Sequence, residues 1–149
     1  HSLPDIIAYL SHDRDNRCVL FEVKNYGRGV AENVKIDSFD LDLVQDKYRD
    51  FVRECSFLAK GIPVLAPEAY RNTVILDGPD IKNFDSVVSQ VSISYKRKCL
   101  LGLKSEKRIF PLDYYSFCGS IYKKSDLHKL RVAIEVIAGI RTEEQAKCD

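Results

Sequence analysis

The chain has 149 residues, 45% of them hydrophobic and 30% charged, with a formal net charge of +1. That length suits one domain able to bury roughly two thirds of its unfolded surface, and the composition excludes a disordered chain. Near-neutral charge excludes whole-molecule attraction to nucleic acid or lipid, so a partner of either kind must meet a local patch.

Pro4 precedes an apolar run, Ile6 to Leu10, that predicts a first strand, with Ser11 to Asn16 as a polar turn. The second strand spans Arg17 to Lys24, with Val19, Phe21 and Val23 on one face and Leu20, Glu22 and Lys24 on the other. Asn25, Gly27 and Gly29 tolerate the positive φ of a turn, and Val34 and Ile36 resume the alternation. Within Val34 to Val44, Phe39, Leu41 and Leu43 alternate with Asp40 and Asp42, which predicts a strand with a solvated acidic face. From Asp46 the period becomes three and four residues, through Tyr48, Phe51 or Val52, Cys55 and Leu58, and Gly61 with Pro63 closes a short helix. Ile62 to Leu76, bearing Pro63 and Pro67, reads as a loop into an edge strand over Thr73 to Leu76, and Asp77-Gly78-Pro79 as a turn.

Ser86 to Tyr95 is the clearest strand of the second half, with Lys107 to Leu112 as its hairpin partner. A last helix, capped by Ser125, carries Leu127, Leu130, Ile134 and Ile137 on one face, an apolar surface that packs on the sandwich or pairs with a second copy. No repeat or linker interrupts the pattern, so residues 1–149 read as a single β-sandwich domain. The start at His1-Ser2, without methionine, reads as a tag remnant on a fragment of a longer chain.

The five cysteines, Cys18, Cys55, Cys99, Cys118 and Cys148, have no CxxC or short metal spacing and read as reduced thiols of a cytosolic compartment. No run approaches the roughly 18 apolar residues of a membrane span, and no signal peptide is visible. Cys118 in FCGS, with His12 or His128 as base, is the one nucleophile pattern and lacks a supporting motif. Asp37, Asp40 and Asp42 offer oxygen ligands without a second cluster to close a shell. Asn25-Tyr-Gly-Arg-Gly has no GK[ST] and no helix behind it, so the phosphate-cradle reading fails. No catalytic residue, metal ligand or cofactor is assigned on these grounds.

The strongest charge feature is the hairpin around Lys96, Arg97, Lys98, Lys104, Lys107 and Arg108, opposed by the single acid Glu106. Such a patch meets phosphates of a nucleotide, a nucleic-acid backbone or anionic headgroups. It serves equally as a lysine-guarded edge that prevents strand-to-strand aggregation. Stacking aromatics are missing, since only Tyr95 and Phe110 flank the patch and both fit core positions, which argues against nucleic acid.

With its alternating strand, Asn25, Gly27, Ala31 and Val34, the run from Val19 to Ile36 resembles the strand-turn-strand of bacterial immunoglobulin-like sandwiches, including CARDB-type modules. A closer resemblance is to C-terminal domains of uncharacterised bacterial proteins, often preceded by membrane helices. It is carried by Pro4 to Tyr9, Val23 to Val34, Leu65 to Pro67, Tyr95-Lys96 and Leu112 to Tyr115. That likeness implies a cytosolic sandwich domain tethered near a membrane, with no catalytic residues to carry over. The length of the Asp46 to Ala59 segment and the last helix set the chain apart from adhesion modules.

The expectation is therefore a mainly β, immunoglobulin-like sandwich with an inserted short helix and a C-terminal helix. Its expected function is a non-enzymatic interaction domain on the cytoplasmic face, part of a membrane-associated bacterial protein, which binds a protein partner or self-associates through Leu127, Leu130, Ile134 and Ile137. Membrane contact would come only through a segment outside this chain. The alternative is a sensor that binds a small anionic ligand, such as a nucleotide signal, on the basic hairpin.

Overall fold

The computed structural model describes residues 2–84 and 87–114. These form strands β1 (Ile6–Asp13), β2 (Cys18–Asn25), β3 (Ala31–Ser38), β4 (Ile62–Leu65), β5 (Tyr70–Asp77), β6 (Val88–Cys99) and β7 (Gly102–Asp113), with helices α1 (Asp46–Glu54) and α2 (Ser56–Ala59) between β3 and β4. One sheet has the order β1-β2-β5 and the other β4-β3-β6-β7, and neighbouring strands are antiparallel. Lettered in chain order, these are the A-B-E and C-F-G groupings of the immunoglobulin fold, with β4 joined to β3 instead of β5. The expected mainly β sandwich with an inserted helix is the observed architecture.

The period-two alternation drives each sheet to bury one face. Ile6, Ala8, Val19, Phe21 and Val23 from the first sheet meet Val34, Leu65, Val91, Ile93 and Tyr95 from the second in one core. Phe21 packs against Phe39 and Phe57, with ring centroids 4.7 and 6.4 Å away, so the segments between β3 and β4 close over it. Three register shifts adjust the alternation, one between β2 and β5 and two between β3 and β6, at Glu32/Lys35 and Ile36/Ser38. Where β2 pairs β5, Val19 faces Leu76 and Leu20 faces Val74, so Ile75 is an extra residue and both Ile75 and Leu76 point inward. In β3, Asn33 takes φ 48° between the pairs Glu32↔Lys96 and Lys35↔Ser94, a left-handed conformation that asparagine accepts.

Four segments differ from the sequence reading. Phe39 to Leu43 is not strand: the Asp40 carboxylate accepts from the Asp42 amide at 2.9 Å and caps a 3₁₀ turn, Leu41–Leu43, and this local bond displaces the ladder. The expected helix is two, because Cys55 turns to ψ 119° between them. Ile62–Leu65, read as loop, is an edge strand on β3, where Pro63 needs no ladder partner for its missing amide. A 3₁₀ segment, Gly78–Asn83, follows β5 where a simple turn was expected. The expected last helix lies outside the described residues.

Asn25 is fully buried at the end of β2, and its side chain makes four hydrogen bonds. Oδ1 accepts from the Asp5 amide at 3.1 Å and the Gly27 amide at 2.9 Å. Nδ2 donates to the carbonyls of Gly29 at 2.8 Å and Leu65 at 3.0 Å. The Leu3 carbonyl accepts from the amides of Arg28 and Gly29, and this lays the N-terminal segment across the turn. A Cβ on Gly27 or Gly29 would overlap the Leu3 or Ser2 carbonyl, so the backbone approach itself demands glycine at both positions.

At the opposite end, the Asp77 carboxylate takes hydrogen bonds from Lys47 and from Tyr48 Oη (2.6 Å), which dock α1 on β5. Gln45 Oε1 accepts from the Asp77 amide at 2.9 Å. Burial alone would raise the Asp77 pKa, but the Lys47 and Tyr48 bonds outweigh it and hold the carboxyl below its ordinary value.

Asn25→Leu strands several buried backbone groups and should cost about 3–5 kcal/mol in urea unfolding. Asn25→Asp keeps the shape and faces a carboxylate to two carbonyls, which raises its folded pKa. It should therefore approach wild-type stability below about pH 4 and lose it as pH rises through that raised pKa; a pH-independent deficit would contradict the arrangement. Asp77→Asn has the reverse sign. Because the folded Asp77 pKa is depressed, its contribution is present above about pH 4 and fades as pH falls through the depressed value, so mutant and wild-type urea midpoints should converge in acid.

Candidate functional site

β6 and β7 pair along their whole length, from Val88↔Asp113 to Cys99↔Gly102, with Leu100 and Leu101 as the two-residue turn. Strand alternation divides the six basic residues between two faces. The pairs Ile93↔Arg108, Tyr95↔Glu106 and Arg97↔Lys104 share the inner side, whereas Ser94↔Lys107, Lys96↔Ser105 and Lys98↔Leu103 share the outer side.

On the inner side the arginines serve the fold. Arg97 Nε donates to Glu106 Oε1 at 2.8 Å, which holds the Glu106 carboxyl below its usual range. Arg108 pairs with the Asp5 carboxylate and donates to the Ile6 carbonyl at 3.3 Å, tying β7 to the N-terminal segment; the Asp5 bond raises its pKa further. Lys96, Lys98, Lys104 and Lys107 have no ion-pair partner among the described residues. The expected six-residue basic site is therefore a divided one, with two members engaged internally.

Apolar side chains share the outer side. Val64, Val88, Leu103 and Ile109 are exposed there, and Leu100 and Leu101 at the tip are 85% and 99% exposed. An open recess of about 360 Å³ at the tip is lined by Arg97, Lys98, Cys99, Leu100, Leu101 and Lys104. A neighbouring one of about 290 Å³ lies between Lys98, Glu32, Val30 and the N-terminal Ser2 and Pro4. The sequence reading passed over the tip leucines. Their signal was the turn position, where glycine, asparagine or aspartate is the usual occupant.

The acidic trio is dispersed in role. Asp37 accepts from Ser94 Oγ at 3.1 Å, Asp40 caps its turn, and Asp42 faces Arg49 at 3.9 Å. Among the described residues no group of three or more His, Cys, Asp or Glu is placed to hold a metal ion. Cys18, Cys55 and Cys99 are free thiols, and burial pushes the Cys18 thiol pKa up. Cys118, His128, Cys148 and the proposed oligomer face Leu127, Leu130, Ile134 and Ile137 lie outside the described residues. No helix among the described residues is long and apolar enough to cross a membrane.

A family model described as a domain of unknown function, DUF8453, matches residues 1–117. No curated protein and no solved structure matches the chain.

The division of the patch has a measurable consequence. Arg108→Gln should lower stability by about 1 kcal/mol, the scale of a partly exposed ion pair, while Lys98→Gln and Lys104→Gln leave the urea midpoint unchanged. Equal effects at all three positions would mean that the patch acts as one unit.

Proposed function

We propose, for a chain that belongs to the DUF8453 family of domains of unknown function, a non-enzymatic interaction domain whose working surface is the β6–β7 hairpin with the outer side of the four-stranded sheet. The observation that carries this reading is the run of exposed apolar side chains, Val88, Leu100, Leu101, Leu103 and Ile109, interleaved with lysines that lack ion-pair partners among the described residues. Of these, Leu100, Leu101 and Leu103 cluster at the tip while Ile109 and Val88 lie further along the hairpin, and exposed apolar side chains set among charges are the usual composition of a contact surface.

A small anionic ligand is the weaker reading. Such a ligand needs donors that converge in a concave site. Here the lysines diverge onto two faces and both arginines are already held by carboxylates. The setting implied by the sequence resemblance, the cytosolic part of a membrane-associated bacterial protein, belongs to this proposal.

A photoreactive residue at Ser105 or Ile109, on the outer side of the hairpin, should give crosslinked adducts in cells that the same residue at Ser11, on the other sheet, does not. Adducts from neither or equally from both would sink the reading. A thermal-shift series with nucleotides and cyclic nucleotides should be flat; a salt-sensitive rise abolished by Lys96→Ala with Lys98→Ala would replace it with the sensor.

A further inference from the structure

We infer that the tip of the β6–β7 hairpin docks on an anionic lipid surface, with Leu100 and Leu101 entering the headgroup region and Lys96, Lys98, Lys104 and Lys107 meeting acidic headgroups behind them. This rests on the interaction-domain reading and names its partner. It also places membrane contact on the chain's own hairpin, where the sequence reading had assigned it to a segment elsewhere.

The first argument is reach. Pairing between β3 and β6 ends at Glu32↔Lys96, but β6 and β7 continue through Arg97↔Lys104, Lys98↔Leu103 and Cys99↔Gly102. Three further residues at about 3.4 Å each carry the tip about 10 Å past that last β3 pair. Ser2, Pro4 and Val30 flank the hairpin as far as Lys98, so the leucines stand about 7 Å beyond their neighbours, within the about 5–10 Å to which interfacial elements enter the boundary of headgroups and acyl chains.

The second argument is composition. Gly102, at φ 120°, supplies the unusual backbone conformation of the turn, so the turn makes no demand for leucine beside it. Leu100 and Leu101 are nonetheless almost wholly exposed, and Leu103 is 53% exposed just behind them. Apolar residues at the outermost point of a structure have no part in holding a small anion. They suit insertion into an apolar layer.

The third argument is the distribution of charge. Lys98 lies on one face of the hairpin and Lys104 on the other, two and three residues behind the leucines, with Lys96 and Lys107 further back. A partner laid along the sheet would meet one face. A flat anionic surface approached end-on meets both, and the lysine stems let their ammonium groups stay among the headgroups as the leucines enter. Each basic residue held near such a surface strengthens partition about fivefold.

The full chain should cosediment with vesicles of phosphatidylcholine mixed with phosphatidylserine and not with phosphatidylcholine alone. Lys98→Gln with Lys104→Gln should weaken partition about twentyfold. Leu100→Ser with Leu101→Ser should weaken it about tenfold or more at an unchanged melting temperature, since both side chains lie outside the core. The chain has no tryptophan, so Leu101→Trp supplies a single indole reporter whose emission should shift to the blue on phosphatidylserine vesicles. No binding to those vesicles would overturn the lipid assignment, and retained crosslinking at Ser105 and Ile109 would show that the interaction-domain reading survives it. Binding that is indifferent to the leucines, or unshifted indole emission from the bound Leu101→Trp variant, would also overturn it, by assigning the lysines to headgroup attraction without insertion.

Discussion

The structure depends on one buried amide. Asn25 sits where β2 leaves the core, and the chain there needs partners for backbone groups that no ladder supplies. Its side chain has two acceptor sites and two donors, and all four are used, on Asp5, Gly27, Gly29 and Leu65. Those partners belong to the N-terminal segment, the β2–β3 turn and the end of β4, which are far apart in sequence. Its backbone adds the β4–β5 connection, through Ala69 and Glu68. Replacing any one partner is a local change. Replacing Asn25 removes the junction of all of them, which accounts for a polar side chain at 0% exposure in a mostly apolar interior.

Strand content was legible in the sequence because a half-buried sheet writes its register as alternation. Val19, Phe21 and Val23, and Val91, Ile93 and Tyr95, face inward as their period requires. The reading failed where a local hydrogen bond competes with the ladder. Phe39, Leu41 and Leu43 alternate as a strand would, yet Asp40 captures the Asp42 amide and coils the backbone, and the same apolar side chains reach the core from a 3₁₀ turn, Leu41–Leu43, and from Phe39 just before its cap. The Asn25-x-Gly-x-Gly pattern was recognised as a turn. Its larger role was hidden, because Asp5 and Leu65 are distant in sequence and only the folded chain brings their backbone groups to one side chain.

The candidate site was legible in composition and not in arrangement. Six basic residues within thirteen positions look like one cluster along the chain, but antiparallel pairing is a two-sided geometry. Arg97 and Arg108 fall on the side that turns toward the sandwich, where Glu106 and Asp5 await them. Arginine suits that role, since its planar fork keeps a carboxylate and a backbone carbonyl in place together, as Arg108 does with Asp5 and Ile6. The three on the outer side, Lys96, Lys98 and Lys107, are all lysines, flexible and strongly hydrated, while Lys104 shares the inner side with the arginines near the tip.

These two features are mechanically connected. The Asp5 amide donates to Asn25, and the Asp5 carboxylate accepts from Arg108, so the clamp that closes the β2–β3 turn also secures β7. The base of the hairpin is thus fixed at three places: by β3 along β6, by the N-terminal segment through Arg108, and across its own strands by Arg97 with Glu106. Beyond Lys96 those restraints thin out, and the tip extends with leucines that have no duty to the core. Substitutions at Leu100, Leu101, Lys98 or Lys104 can therefore alter what the domain touches without altering how it folds, whereas Arg108 and Asn25 cannot change without loosening the support. The base is held by ladder, ion pair and buried amide together, while the apolar tip and its lysines stand outside all three.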